Sequence, residues 1–234
     1  MTVNPKFENK EIKEGLYIIP TPIGNLGDIT YRAIDILRKS DFILCEDTRI
    51  SRKLMEKFEV KSKLLSNHKF NEKKNLSLII NHLRNDKIIS LVSDAGTPGI
   101  SDPGFLLVRE ALANDIEVVC LPGPTALIPA LIQSGLSADR FVFEGFLPPK
   151  KGRNKRLENL IGETRTIIFY ESPHKILKTL TQLVDFFEPE RRVSISRELS
   201  KMYEETFRGN LGEAVEYFNQ QTPKGEFVIC LAGA

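Results

Sequence analysis

Several devices that commonly mark an enzyme's chemistry are missing from this chain. It has no Gly-x-Gly-x-x-Gly, no phosphate-binding P-loop, no metal-ligand spacing of His, Cys and acids, and no nucleophile elbow. Those absences weigh against dehydrogenase, kinase, metalloenzyme and hydrolase readings. Cysteine is scarce, and Cys45, Cys120 and Cys230 lie far apart, each within an apolar strand-like run. That pattern argues against disulfides and zinc and predicts buried free thiols in a reducing cytosol. An excess of one charge is also lacking: 33 Lys and Arg face 31 Asp and Glu, a net charge of +2. Contact with a polyanion has to come from local patches. No run approaches transmembrane length, and Met1 to Gly15 is polar, without the apolar region of a signal peptide. A cytoplasmic protein that does not engage membranes is therefore expected. No internal repeat or low-complexity tract is visible.

The 234 residues, 41% of them hydrophobic, are enough for two modest domains or one large one. Strand and helix patterns alternate. Strand-like runs at Leu16–Ile19, Asp41–Cys45, Ile88–Val92 and Glu117–Leu121 enclose helical spacing at Ile29–Arg38, around Leu76, Ile79, Ile80 and Leu83, and at Phe105–Asn114. Such alternation predicts a parallel-rich α/β sheet. The apolar stretch Thr125–Leu136 reads as a buried helix leading to a second unit that starts near Ser137. That unit has strands at Arg140–Phe143, Thr166–Tyr170, Arg192–Ser196, Glu204–Arg208 and Phe227–Ala232, a short helix at Asn154–Ile161, and an amphipathic helix at Pro173–Phe187. The expected division is an extension over 1–14, an N-terminal α/β domain over 15–136 and a C-terminal α/β domain over 137–234.

Chemistry-bearing blocks sit where strands end. The most informative is Leu91 to Gly104, Leu-Val-Ser-Asp-Ala-Gly-Thr-Pro-Gly-Ile-Ser-Asp-Pro-Gly, a Gly- and Pro-rich loop at the carboxyl end of a strand. In open α/β sheets ligands bind at those ends, and the small Ala95 and Gly96 let a ligand approach the backbone. On composition alone such a block is more often an ordinary strand-to-helix turn. Pro20–Thr30 follows the first strand, with Asp28 or Thr30 as the helix cap. Glu46-Asp47-Thr48-Arg49 follows the second; it is either a solvated helix start or a site wall, in which Arg49 holds a phosphate and an acid holds a ribose hydroxyl. Pro122-Gly123-Pro124-Thr125-Ala126 ends another strand. Tyr170-Glu171-Ser172-Pro173-His174 opens the long helix, with Ser172 as its cap and Tyr170 and Glu171 as ligand candidates. Lys150, Lys151, Arg153, Lys155 and Arg156 form the one clear charge cluster, a solvated loop or a phosphate-binding one. His68 and His82 show no partner pattern, and His82 reads as structural.

The ordered set resembles the tetrapyrrole-methylase-like (class III) S-adenosylmethionine-dependent methyltransferases over about Gly15 to Ala232. Six blocks carry the resemblance: the Gly-Asn-Leu loop, Glu-Asp-Thr-Arg, Ser-Asp-Ala-Gly-Thr-Pro, Pro-Gly-Pro, Glu-Gly-Phe-Leu-Pro and Tyr-Glu-Ser-Pro-His; Arg-Glu-Leu-Ser-Lys is a seventh. Glu46–Arg49 and Tyr170–His174 resemble the branch that methylates a cytidine ribose 2′-hydroxyl in 16S ribosomal RNA. The resemblance implies the two-domain class III α/β fold, a homodimer, and the donor S-adenosylmethionine in a cleft between the domains. It implies cofactor contacts at Pro22, Asp94, Ala95, Gly96, Thr97, Ile100, Pro122, Thr125, Ala126, Tyr170, Leu199 and Gly225. It implies 16S RNA of the small ribosomal subunit as partner, and the charge pattern sets the phosphate contacts at Arg49, Lys150, Lys151, Arg153, Lys155 and Arg156. Glu46, Asp47 and Glu171 are the candidate catalytic acids, with Asp28 a further candidate base, and no metal is expected. Longer members of the branch carry a helical tail past the last strand, whereas this sequence stops at Ala234. The alternatives are a methylase of corrin or sirohaem precursors and an inactive RNA-binding relative.

Overall fold

The computed structural model describes residues 11–234, so most of the expected N-terminal extension lies outside the described residues. The chain divides into two units. The first runs to Pro22 and resumes over Gly27–Pro124; the second takes Ile23–Leu26 and Thr125–Ala234.

The first unit is built on β1 (Gly15–Ile18), β2 (Phe42–Cys45), β3 (Lys63–Ser66), β4 (Ile88–Leu91) and β5 (Val118–Cys120), in the order β3-β2-β4-β1-β5. All four pairings are parallel. Helices α1 (Tyr31–Lys39), α2 (Thr48–Lys57), α3 (Glu72–Arg84) and α4 (Phe105–Ala113) cover it. Successive strand residues face opposite sides, which decides where each helix packs. Tyr17, Ile43 and Cys45 join Ile36 and Leu37 of α1 and Met55 of α2 on one face. Leu16, Ile18, Leu44, Ile89 and Leu91 join Ile79 and Leu83 of α3 and Leu107 of α4 on the other. Thr30 caps α1, its hydroxyl accepting from the Ala33 amide at 3.0 Å. The parallel order brings the loops after β1, β2, β3 and β4 to one edge of the sheet.

In the second unit β6 (Phe141–Phe146), β7 (Thr166–Glu171), β8 (Arg192–Arg197), β9 (Glu205–Asn210) and β10 (Phe227–Leu231) run β6-β7-β10-β8-β9. Only β6 and β7 pair in parallel. Helices α6 (Arg153–Glu158), α7 (Ile176–Phe187) and α8 (Leu211–Asn219) supply Leu157, Leu180, Leu183 and Phe218 to one core. On the sheet's other face α5 (Leu127–Ser134) buries Leu127, Ala130 and Leu131 against Ile168, Val228 and Cys230. That packing corrects the expected boundary. Helix α5 belongs to the second unit, so the division falls after Pro124 and not after Leu136.

Two elements, β3 and α8, lie outside the expected set, for different reasons. Strand β3 is half-exposed, without apolar alternation. Helix α8 is announced by a capping box: the Asn210 side chain accepts from the Glu213 amide at 2.9 Å and Glu213 Oε2 accepts from the Asn210 amide at 3.0 Å. Of the three thiols, Cys45 and Cys230 are buried as expected, but Cys120 is exposed, because β5 is an edge strand. Asn210→Ala removes one of two reciprocal cap bonds, and a loss of about 1 kcal/mol is expected, read as a lower denaturant midpoint at unchanged slope.

Candidate functional site

Chemistry in the first unit collects at the carboxyl edge of its sheet. Two loops are tied there by a two-way backbone bridge: the Thr21 amide donates to the Gly96 carbonyl and the Gly96 amide to the Thr21 carbonyl, both at 2.9 Å. The buried Thr21 hydroxyl donates to the Ser93 carbonyl at 3.1 Å, and Ser93 Oγ donates to the Gly96 carbonyl at 3.0 Å. Gly96 has φ +80°, which a side chain disfavours, and Ala95 beside it is exposed. Thr97 Oγ1 donates to the Pro124 carbonyl at 2.9 Å, tying in the Pro122–Pro124 loop. The small, exposed Ala95 and the part-exposed Ile100 leave surface open at a strand end, while Gly96 between them is buried, its amide and carbonyl both engaged by Thr21. This fits the half of an S-adenosylmethionine site that the resemblance places here, in which backbone groups dominate.

Four carboxyl groups, Glu46, Asp47, Asp94 and Asp102, share the same edge. Asp94 Oδ1 accepts from the Asp47 amide at 3.1 Å, linking the ends of β2 and β4. Burial, with the Glu46 and Asp94 charges adding, pushes the Asp102 carboxyl up to about 6. Burial also raises Glu46, helped by Asp94 and opposed by His68, and burial raises Asp94. Asp47 moves the other way: hydrogen bonds from the Arg49 side chain and amide hold it at about 2. It caps α2 and pairs with Arg49 at 2.6 Å. Sequence reading chose Glu46, Asp47 and Asp94 and passed over Asp102. Its signal was its place in the Ser-Asp-Pro-Gly turn of the same block. Asn67, in register beside Glu46 one position past β3, was also missed. It is 1% exposed, and neither amide atom has a hydrogen-bond partner among the described residues.

The second unit places its candidates differently. Glu171 is 5% exposed and Arg153 is 7% exposed. They approach to 4.0 Å, and Thr179 Oγ1 lies between them, donating to Glu171 Oε2 at 2.6 Å while accepting from Arg153 Nη2 at 2.7 Å. Arg153 Nε donates to Gln182 Oε1 at 2.7 Å, and Glu171 Oε1 accepts from the Ser172 amide at 2.7 Å. This corrects two expectations. Arg153 is a buried anchor for the basic loop and not a phosphate contact; Glu171 is its counter-charge, enclosed away from an acceptor. Arg156 pairs with Glu144 at 3.2 Å, which leaves Lys150, Lys151 and Lys155 as the loop's exposed cations without an ion pair among the described residues. Ser172 does not cap α7 with its side chain either. Residues 173–175 form a turn, Lys175 is the N-cap, and the Ser172 carbonyl accepts from the Lys175 and Ile176 amides.

Tyr170 packs edge-on against Phe143 and Phe146, with ring centres at 5.0 and 5.7 Å. Thr125 and Ala126 precede α5, Leu199 is buried, and a Cβ at Gly225 would run into the Glu198 side chain. His82 meets Phe42 in a tilted ring contact with centres at 4.8 Å, a structural role as expected. Among the described residues no group of three or more His, Cys, Asp or Glu is arranged to hold a metal ion.

Comparison with known proteins places this architecture. The family model for tetrapyrrole (corrin/porphyrin) methylases matches residues 15–215. The chain belongs to the tetrapyrrole methylase family. It is 50% identical over 94% of its length to the ribosomal RNA small subunit methyltransferase I of Synechocystis sp., covering 79% of that protein. It is 45% identical to the protein of that name from Thermotoga maritima, covering 93% of this chain and 98% of the relative. Among solved structures, a cobalt precorrin-4 methyltransferase of cobalamin biosynthesis matches with TM-score 0.68 at 15% identity, over 93% of this chain and 94% of that one. A uroporphyrin-III C-methyltransferase from Thermus thermophilus gives TM-score 0.62 at 15% identity over 93% of each chain. At that identity the structural likeness carries the fold, which agrees with the two-unit α/β architecture expected from the sequence.

Two outcomes follow from the carboxyl groups. Arg153→Ala leaves the Glu171 carboxylate buried and unpaired, so the second unit is expected to lose about 3–5 kcal/mol, part of it regained by adding Glu171→Gln; denaturant melts of the single and double variants measure both. Asp102 binds its proton more tightly folded than unfolded. Its stabilising contribution is full below 3.8, its ordinary value, and is lost as pH rises through about 6. Asp102→Asn is therefore expected to gain stability over the wild type at pH values above that midpoint and little below 3.8, alongside a carboxyl NMR titration near 6 in the wild type that the variant lacks.

Proposed function

We propose that this protein transfers a methyl group from S-adenosylmethionine to the ribose 2′-hydroxyl of a cytidine in the 16S RNA of the small ribosomal subunit. The observation that supports this best is the near-complete match, at 50% identity, to a ribosomal RNA small subunit methyltransferase I, together with a carboxyl group of raised pKa, Glu46, at the sheet edge that also carries the exposed Ala95. When bound, the donor supplies an already activated methyl group. The protein's task is then alignment of oxygen, carbon and sulfur, which can account for roughly 7–11 kcal/mol of barrier lowering.

In the first unit Ala95, Gly96, Thr97 and Ile100, with Pro22, Asp94 and Pro122 around them, hold the donor, chiefly through backbone. In the second unit Thr125, Ala126, Tyr170, Leu199 and Gly225 are the donor-binding residues in this reading. Glu46 takes the 2′-hydroxyl proton. Burial and the Asp94 charge raise its proton affinity above that of an ordinary carboxylate, which makes it the stronger base, whereas Asp47 is held ionised by Arg49 and is a weak base. Asp94 and Asp102 hold ribose hydroxyls. Arg49, Lys150, Lys151 and Lys155 contact phosphates. A cytoplasmic location belongs to the same reading, supported by the absence, among the described residues, of a helix able to cross a membrane. So does a homodimer, for which the exposed Ile132, Met202 and Tyr203 offer apolar surface.

The test is transfer of a labelled methyl group to small subunits from cells lacking this activity, with naked 16S RNA and a porphyrinoid as parallel acceptors and mapping of the modified nucleotide. Label on a cytidine ribose is expected. Label on the porphyrinoid alone, or RNA binding without turnover, overturns the reading. Glu46→Gln is expected to cut the single-turnover rate by about 10²–10⁴-fold with donor affinity nearly unchanged. Gly96→Val is expected to abolish donor binding in a folded protein, measured by calorimetry.

A further inference from the structure

The turn between β3 and α3 has a feature that the fold does not require. Phe70 is 93% exposed at its tip. The turn that carries it is tied down by its own side chains. Asn71 Oδ1 accepts from the His68 amide at 2.7 Å, and Asn71 Nδ2 donates to the Ser66 carbonyl at 3.1 Å. Asn75 Nδ2 donates to the same carbonyl at 3.0 Å, and the Phe70 amide donates to His68 Nδ1 at 3.2 Å. The His68 ring meets the Phe70 ring edge-on at 6.0 Å. One residue further on, the buried Glu72 accepts at 3.1 Å from the amide of Gly104, the last residue of the Leu91–Gly104 block. The turn is thus tied to the loop that carries Asp94, Ala95, Gly96 and Asp102.

Its surroundings are cationic. Lys69, Lys73 and Lys74 are exposed, and none has an ion-pair partner among the described residues. The one acid among them, Glu72, is buried. Strand β3 pairs in parallel with β2, so this turn and the Glu46–Arg49 block leave the sheet at the same edge, on adjacent strands. A solvent-facing aromatic ring carried on a tethered turn, with unpaired lysines on either side of it in the chain, beside the sheet edge proposed to take a polynucleotide, has the chemistry of a base-stacking platform. Every base offers a π-face, and the lysines meet the phosphates on either side.

We propose that Phe70, ringed by Lys69, Lys73 and Lys74, stacks on an unpaired base of the RNA substrate next to the nucleotide to be methylated, and so positions the strand at the sheet edge. The inference rests on the methyltransferase reading for its substrate. Its binding test does not depend on turnover.

A short single-stranded RNA and intact small subunits serve as probes. Phe70→Ala is expected to weaken binding of the single-stranded RNA by roughly 5- to 150-fold, the range for one stacked base. The KM for subunits rises by a similar factor, while kcat and donor affinity hold. Phe70→Trp or Phe70→Tyr restores binding and Phe70→Leu does not. Phe70→Ala leaves the salt slope of binding as it is, whereas replacing Lys69, Lys73 and Lys74 by Ser flattens it. Circular dichroism and donor calorimetry verify that each variant is folded. Unchanged RNA binding in Phe70→Ala overturns the proposal, as does full rescue by Phe70→Leu or a wild type that binds no single-stranded RNA. Loss confined to assembled subunits, with naked RNA unaffected, assigns Phe70 to a ribosomal protein contact and also overturns it. A wild type that binds RNA through Phe70 but methylates no subunit leaves the platform standing and removes the methyltransferase reading.

Discussion

The two hydrogen bonds exchanged by Thr21 and Gly96 hold the first unit's site together. They act like one extra rung of a ladder beyond the ends of β1 and β4, in antiparallel sense, after those strands have paired in parallel. The bridge needs a residue at φ +80° on one side, which Gly96 supplies, and a short side chain on the other that can satisfy a buried carbonyl, which Thr21 supplies through its hydroxyl. With both loops pinned, Ala95 is left standing clear of the sheet, and Asp94 is turned to meet the Asp47 amide. Each buried donor or acceptor left unpaired here would cost about 1–3 kcal/mol, so the loop path is tightly determined.

That path explains why the acids behave so differently although they lie within a few residues of one another in sequence or across adjacent strands. Asp47 starts a helix, where amide groups and Arg49 stabilise its charge. Glu46, one residue earlier, still belongs to the sheet edge and faces Asp94 across it. Asp102 is enclosed by the returning loop and feels both. Gly104 closes the loop at φ +137°, where a Cβ would meet Leu91 at 2.9 Å, and offers its amide to Glu72. Opposite tuning of neighbouring carboxyls is the usual physical signature of a site that must hold one acid ionised and another near neutrality.

Much of this was legible in the sequence, because the hydrophobic pattern of a buried parallel strand is continuous and the loops that follow are dense in Gly and Pro. Leu16–Ile19 and Ile88–Val92 announce β1 and β4, and the Leu91–Gly104 block marks the strand end where the site lies. Strand β3, Lys-Leu-Leu-Ser, was illegible because it is half-exposed at the sheet edge and too short to alternate. Helix α8 was legible in its capping box, Asn210 and Glu213, and was overlooked. Glu171 and Arg153 misled for a different reason. Their residue types suit a ribose or a phosphate, yet nothing local tells that Thr179, eight residues past Glu171, draws both inward. Burial of a charged pair is a tertiary fact. Asp102 escaped for the mirror-image reason, its perturbation arising first from burial and then from the charges of Asp94 and of Glu46, the latter remote in the chain.

The near-neutral total of +2 now reads differently. A balanced count says nothing about where the charges sit. In the first unit, carboxyl groups gather at the part-buried floor of the sheet edge, while Arg49, Lys69, Lys73 and Lys74 stand out in solvent at the rim. In the second, the basic cluster gives up Arg153 to the core and Arg156 to Glu144 and still presents three lysines. A charge felt through water is screened within about 8–10 Å, so a polyanion approaching the rim meets cations first and feels the floor only on contact. Partial protonation of Asp102 near neutrality lowers the repulsion between floor and phosphate further. Under the proposed function, an acidic floor beneath a basic rim is the arrangement that would let one sheet edge present proton-accepting groups to a ribose hydroxyl without repelling the strand that carries it.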